Sequence, residues 1–305
     1  MQQLKRVRRP GRIYRDETLE TVVALLELTT EQLVGRIEQR SPTSSWAAAF
    51  RTFGFGVLRQ FFDPRPLAAE IDRVMQDGLV SHVSRTEEIH FQYVPMMTAQ
   101  TAASLSLLDR IETVAVDLLG GSVLPTRAKG VRYSGNTPWH PDSISSLASV
   151  GFLAYLEPLG GEDGALQVLP GSHHPEFRDA LRRLGLDSTA DLAVPAHVVT
   201  TQPGDIIVLD EHLFHASFGG RTRRQWRIDF VKAPESEEEE NLTKSYFAAL
   251  YPPDWDGGYD VDRYPSYGPD WRGSSRPAVA QLETLGVYEL AAAQEEFTRS
   301  RALLP

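Results

Sequence analysis

The chain contains no cysteine. That excludes a disulfide framework, thiolate metal sites and cysteine nucleophiles. Net positive charge is also missing: 31 Lys and Arg against 41 Asp and Glu leave −10. Such a balance argues against general binding of nucleic acid or anionic membranes, which needs a basic surface to neutralise phosphate. No apolar run approaches the ~20 residues of a membrane span. The basic start, MQQLKRVRRPGRIYRD, lacks the apolar stretch of a secretory leader. A cytoplasmic protein with a solvated basic tail is expected. Internal repeats are absent. What is there is ordinary for a globular protein with a sizeable core: 305 residues, 41% hydrophobic and 24% charged.

The pattern changes along the chain. Residues 17–39 place Leu19, Val22, Val23 and Leu26, then Leu33, Val34 and Ile37, at helical spacing. One broken helix or two short ones are expected there. FGFGVLRQFF reads as a strand. DPRPLAAEIDRVMQDGL reads as a helix with proline near its start, where proline is tolerated. SLSLLDRIETVAVDLLG is a further helix ending at Gly120 and Gly121. Beyond Gly121, short apolar runs alternate with Gly, Pro, Asn and Asp, which predicts a β-sandwich or barrel. The helices are expected to brace that sheet within one domain, residues 1–305. Its parts are a helical extension over 1–45, a β core over 46–232 and a C-terminal extension over 233–305. In the last part PESEEEE reads as a solvated loop or helix start, the aromatic-rich 246–271 as a candidate lid, and 276–301 as a terminal helix.

The stretch WHPDS places His140 and Asp142 two positions apart. In a strand they share a face, with Pro141 on the other. Alone, H-x-D is weak. A further ligand must come from another strand, and His212 and His215 follow the apolar run IIVLD. Two imidazoles and one carboxylate with open positions form the facial triad of non-heme Fe(II) oxygenases. If such an enzyme uses 2-oxoglutarate, it must also hold the distal carboxylate, a task suited to arginine. Arg223, Arg224 and Arg227 are the candidates. In RQWRIDF the residues Trp226, Ile228 and Phe230 share an apolar face with Arg224, whereas Gln225, Arg227 and Asp229 share the other. Taking the apolar face as inward selects Arg224, with Arg227 in reserve.

These stretches resemble the phytanoyl-CoA dioxygenase family of Fe(II)/2-oxoglutarate oxygenases. The resemblance runs from FGFGVLRQFFDPRPLAAEIDRVM through WHPD, EDGALQVLPGSHH and PGDIIVLDEHLFHAS to RRQWRIDFV, about residues 50–232. It implies a double-stranded β-helix (jelly roll, cupin-like) core: mainly β, with flanking helices. It implies His140, Asp142 and His215 as metal ligands, His215 being chosen over His212 by the following small residue and Ser217. Ser217 and an arginine would hold 2-oxoglutarate. Leu153 would stand where some members place an aromatic beside the cosubstrate. His173 and His174 lie in an architectural stretch and are weak ligand candidates. Asp142 separates this chain from related halogenases, which carry a small residue there.

The activity that the resemblance implies is oxidation, usually hydroxylation, of an unactivated C–H in a small molecule, coupled to decarboxylation of 2-oxoglutarate to succinate and CO2, with Fe(II) as cofactor and 2-oxoglutarate and O2 as cosubstrates. A substrate from secondary metabolism is expected, and a fatty-acyl thioester is the alternative. Lys129, Arg132, Tyr133, Asn136, Trp139 and His212 are candidate substrate contacts, Lys129 and Arg132 favouring an anionic substrate if they face inward. Two rival classes are a non-catalytic cupin-like binding protein and a zinc hydrolase or isomerase. The first should have lost a ligand, and the second needs no inward arginine.

Overall fold

A computed structural model describes residues 29–79, 90–183, 185, 196–220, 222–250 and 258–302. The basic tail and residues 17–28 of the expected N-terminal helix lie outside them. The remainder of that helix is α1, Thr30–Ile37, started by a capping box between Thr29 and Gln32. Helix α2 spans Ser44–Phe53. Helix α3, Pro64–Gly78, starts where the Asp63 side chain accepts from the Arg65 N–H and proline fills the first turn. Helix α4, Ala102–Leu119, stops at Gly120, whose φ of 71° is left-handed and suits glycine.

Two sheets form a double-stranded β-helix. The larger contains β1 (Glu38–Gln39), β2 (Phe55–Leu58), β3 (His90–Pro95), β4 (Val123–Pro125), β5 (Lys129–Ser134), β7 (Ser149–Tyr155), β10 (Ile206–Asp210) and β12 (Arg223–Lys232). Its order is β1-β2-β10-β7-β12-β5-β3, with β4 also paired to β12. The smaller has β6 (Thr137–His140), β11 (His215–Ser217), β8 (Leu166–Val168) and β9 (His197–Val199), in the order β6-β11-β8-β9.

Strand β7 shows why this arrangement is stable. Every residue of SVGFLAY is buried. Val150, Phe152 and Ala154 join the cluster that contains α3 and α4, while Leu153 and Tyr155 join a second cluster with Leu166 and Val168 of the smaller sheet. The larger sheet is therefore covered by helices on one face and by the other sheet on the opposite face. Burying a large apolar side chain of this kind contributes about 1.5–3 kcal/mol.

Helix α5, Pro175–Arg183, lies between β8 and β9, and the C-terminal extension adds α6 (Glu237–Leu250), α7 (Pro269–Arg272), α8 (Pro277–Thr284) and α9 (Val287–Ala302). The acidic run opens α6, where carboxylates favour the helix start. The expected terminal helix is two helices, broken at Gly286 (φ 73°). Among the described residues, no helix is long and apolar enough to cross a membrane.

Candidate active site

Strands β6 and β11 pair so that His140 stands opposite His215. Asp142 follows two residues after His140, just past the end of β6. Proline at 141 cannot donate to a ladder, which agrees with the strand stopping there. One ligand atom from each of His140, Asp142 and His215 lies within 4.8 Å of the others. The Asp142 oxygens stand 3.5 Å from Nε2 of each histidine.

Both imidazoles are set by their own strands. Nδ1 of His140 lies 2.8 Å from the Pro138 carbonyl, and Nδ1 of His215 lies 2.9 Å from the Leu213 carbonyl. A carbonyl only accepts, so each Nδ1 carries the proton and each Nε2 lone pair is directed at the site. Burial pushes the His215 imidazole down to about 4, which keeps it neutral. Burial opposes ionisation of Asp142, but Arg227 first, then His215 and His140, hold its carboxyl well below the usual carboxylate range. Burial lowers the His140 imidazole, but its hydrogen bond and charge contact with Asp142 raise it overall. Two imidazole donors and an anionic oxygen, with no thiolate, suit Fe(II) and leave coordination positions open.

These groups open onto a cavity of about 710 Å³ between the sheets. Successive rungs of β5, β12 and β7 line it. Tyr133 pairs with Arg223; Val131, Gln225 and Tyr155 align; then Lys129, Arg227 and Leu153; then Asp229 and Gly151. At the first rung Arg223 is buried, and its Nη2 donates to Ser217 Oγ at 2.6 Å. Ser217 in turn donates to the Gly164 carbonyl at 2.9 Å. The Arg223 guanidinium lies 4.3 Å from the Tyr133 ring centroid. A Cβ at Gly220 or Gly164 would meet that guanidinium at 1.7 or 2.8 Å, so both glycines make room for it. Two rungs further on, Arg227 donates to Asp142 and Asp229 at 2.9 Å each and lies 3.8 Å from Glu211. It therefore braces a metal-ligand candidate.

Arg224 is a correction. It does not reach the cavity: its Nε donates to Glu157 at 2.6 Å and its Nη1 to Asp72 at 2.7 Å. The alternation along β12 is as expected, but the faces are exchanged. Trp226, Ile228 and Phe230 pack on the helical layer, with Trp226 Nε1 donating to Ser104 Oγ of α4 at 2.7 Å. The polar face is the cavity wall. The inward arginines are Arg223, which the parity argument set aside, and Arg227.

The candidate substrate contacts divide. Lys129, Tyr133 and Asn136 line the cavity. Arg132, Trp139 and His212 do not, and are corrected here. Arg132 alternates with the cavity-facing Val131 and Tyr133. Trp139 alternates with Pro138 and His140 and packs with Leu169, Phe214 and Ala216. His212 is tied up by Asp210 and the Ser145 carbonyl, at 2.9 and 2.7 Å. Leu153 lines the cavity, and so does Tyr155, an aromatic the sequence reading missed one rung away on the same face. The phenol of Tyr155 is raised by burial, with the Arg223 charge acting in the opposite direction. His173 and His174 bond the Arg51 and Thr52 carbonyls, an architectural role.

The last wall is α6. Leu242, Ser245, Tyr246, Ala249 and Leu250 line the cavity. Their spacing is one helical stripe. Tyr246 donates to Glu211 at 2.8 Å, and burial, then Asp229 and Asp142, push Glu211 up to about 8. Of the segment expected as a lid, Tyr246, Ala249 and Leu250 face the cavity, whereas Tyr259, Tyr264, Tyr267 and Trp271 pack in the helical core.

A family model described as phytanoyl-CoA dioxygenase (PhyH) matches residues 50–228. Among solved structures, HygX from Streptomyces hygroscopicus, with nickel and 2-oxoglutarate bound, is similar at 19% identity and a TM-score of 0.51, over 63% of this chain and 88% of that one. AviO1 from Streptomyces viridochromogenes Tue57 gives 21% and 0.49, over 64% and 98%. EvdO2 from Micromonospora carbonacea var. aurantiaca, complexed with 2-oxoglutarate, gives 19% and 0.49, over 64% and 93%. No curated protein matches the sequence significantly. The likeness to HygX is one of fold.

Proposed function

Because the chain belongs to the phytanoyl-CoA dioxygenase family, and so is an oxygenase-type enzyme, we propose that it is a non-heme Fe(II)- and 2-oxoglutarate-dependent dioxygenase acting on a C–H bond of a small molecule. The supporting observation is the pair of imidazoles whose Nδ1 protons are held by backbone carbonyls, facing Asp142 beside a buried Arg223–Ser217 pair.

His140, Asp142 and His215 are the metal ligands in this reading. Fe(II) held by these three residues would supply the redox chemistry that couples oxidative decarboxylation of 2-oxoglutarate, to succinate and CO2, with substrate oxidation. The chain's own residues do the positioning. Arg223 pairs with the distal carboxylate of 2-oxoglutarate, and the Ser217 hydroxyl, turned from the Gly164 carbonyl, donates a hydrogen bond to it. Tyr133, stacked on Arg223, keeps that guanidinium in one orientation. Tyr155 and Leu166 close the slot from the strands on either side. Arg227 keeps Asp142 ionised and aimed. Enclosure between two sheets limits water around the reacting groups. Hydroxylation is the proposed outcome, the carboxylate at 142 completing the ligand set.

Anaerobic addition of Fe(II) and then 2-oxoglutarate to metal-free protein tests this. A visible metal-to-ligand charge-transfer band is expected in the wild type and absent in His140→Ala. No band in the wild type would remove the 2-oxoglutarate reading.

A further inference from the structure

The cavity has a second end that the cosubstrate slot does not use. Lys129 enters it from β5, level with Arg227 and Leu153. It stands four residues along β5 from Tyr133, roughly 13 Å from the Arg223 rung at the rise of a strand. The charged groups around it are Asp229 and Asp142, which favour the ammonium, and Arg227 and Arg127, which oppose it. Both carboxylates are already engaged by Arg227 at 2.9 Å. Among the described residues, Lys129 is the cationic side chain of the cavity that makes no hydrogen bond or ion pair of its own. Arg223 is bonded to Ser217, and Arg227 to two aspartates.

Holding an ammonium away from water without a partner is costly. Lys129 is part-buried where it enters the cavity, and the loss of hydration pushes its ammonium down to about 8. An anionic ligand would remove that cost. The same cavity is lined by the apolar Leu242 and Leu250 of α6 and by Ile144, which is 81% exposed, with Ser245, Tyr246 and Glu211 as polar groups among them. A large apolar side chain left that open beside a cavity marks a surface that a ligand covers. The helix α6 also lies outside the family-matched segment, 50–228, so this wall belongs to the chain's own extension.

We propose that the substrate is an amphipathic small molecule whose single anionic group is held by Lys129 and whose hydrocarbon body packs against α6 and Ile144. Calling this ligand the substrate rests on the oxygenase reading above; the anion site itself does not. The carboxylate of 2-oxoglutarate nearest the metal is the other source of the same chemistry, and the test separates the two.

Two fluorescent probes of one shape serve: 8-anilino-1-naphthalenesulfonate, an anion, and N-phenyl-1-naphthylamine, its uncharged counterpart. Both are titrated into the protein with 2-oxoglutarate present, using wild type, Lys129→Met, Lys129→Arg and Ser245→Trp. Lys129→Met should weaken the sulfonate roughly ten- to a hundredfold, the range for one charged hydrogen bond. Lys129→Arg should retain most of the affinity. The uncharged probe should bind all Lys129 variants alike, and Ser245→Trp, which fills the cavity beside α6, should weaken both probes. Lys129→Met should melt at or above the wild-type temperature, because it deletes a charge without a partner. Equal responses of the two probes to Lys129→Met would overturn the proposal, as would indifference of both to Ser245→Trp. A raised 2-oxoglutarate requirement for the charge-transfer band in Lys129→Met, with sulfonate binding unchanged, would assign Lys129 to the cosubstrate and also overturn it. Loss of the band in the wild type with probe discrimination intact would sink the oxygenase reading and leave the anion site standing.

Discussion

The two faces of β12 carry opposite chemistry and are both buried. On one, Trp226, Ile228 and Phe230 are fully covered by helices, and Arg224 at the strand's start bonds Glu157 and Asp72 near solvent. On the other, Arg223, Gln225, Arg227 and Asp229 form one wall of the cavity. Polarity here does not mark the solvent face. It marks the cavity face, where Arg227 and Asp229 balance each other and Arg223 bonds the Ser217 hydroxyl. Alternation in a strand sorts residues into two sets. Which set meets helices and which meets a cavity is decided by the sheets and helices packed around it.

The largest effect should come from breaking the polar face. Replacing Arg227 by Met leaves Asp142, Asp229 and Glu211 without their shared cation. Removing one partner of a buried ion pair costs about 3–5 kcal/mol. Urea denaturation of metal-free Arg227→Met should show a loss of that order, and a smaller loss with a divalent metal bound, since the metal's charge compensates Asp142. An equal loss in both states would contradict a bracing role.

A middle-sized effect concerns pH. The pKa of Lys129 is depressed to about 8 from 10.5. Between those values the unfolded chain holds a proton that the folded chain has released, so stability contributed by this group rises with pH. Below pH 8 the penalty is fully present. The stability of the wild type relative to Lys129→Met should therefore improve between pH 8 and 10.5. A flat difference would show that the ammonium is solvated.

The smallest effect should come from the other face. Arg224→Ala removes a part-exposed pair with Glu157 and Asp72, worth about 0–1 kcal/mol. A melting temperature close to wild type is expected.

Much of this was legible before any coordinates. Helices α3 and α4 follow from proline and glycine signals, and the alternation of short apolar runs with turn residues after Gly121 marks the β core. Ligand chemistry singles out His140, Asp142 and a histidine after IIVLD, and the family resemblance selects His215 over His212. The arginine was misassigned because the alternation of β12 fits either orientation, and the polar face was taken for solvent. Leu153 follows from the resemblance, which marks one position of β7; Tyr155, on the same face, is shown by the cavity's length. The stripe of α6 was hidden because Ser245 and Ala249 break its apolar character, and the acidic run before it drew attention to solvent. Arg132 and Trp139 point elsewhere because neighbours in a strand face opposite ways, and His212, in the turn between β10 and β11, is held by Asp210 and the Ser145 carbonyl.

The measurement that tests the account most directly compares the two adjacent arginines. Anaerobic Fe(II)-loaded Arg223→Ala and Arg224→Ala are titrated with 2-oxoglutarate, following the charge-transfer band. Arg223→Ala should require roughly ten- to a hundredfold more cosubstrate, the range for a lost charged hydrogen bond, while Arg224→Ala should match the wild type. The reverse order would return the cosubstrate to Arg224 and contradict the assignment of the polar face as the catalytic wall.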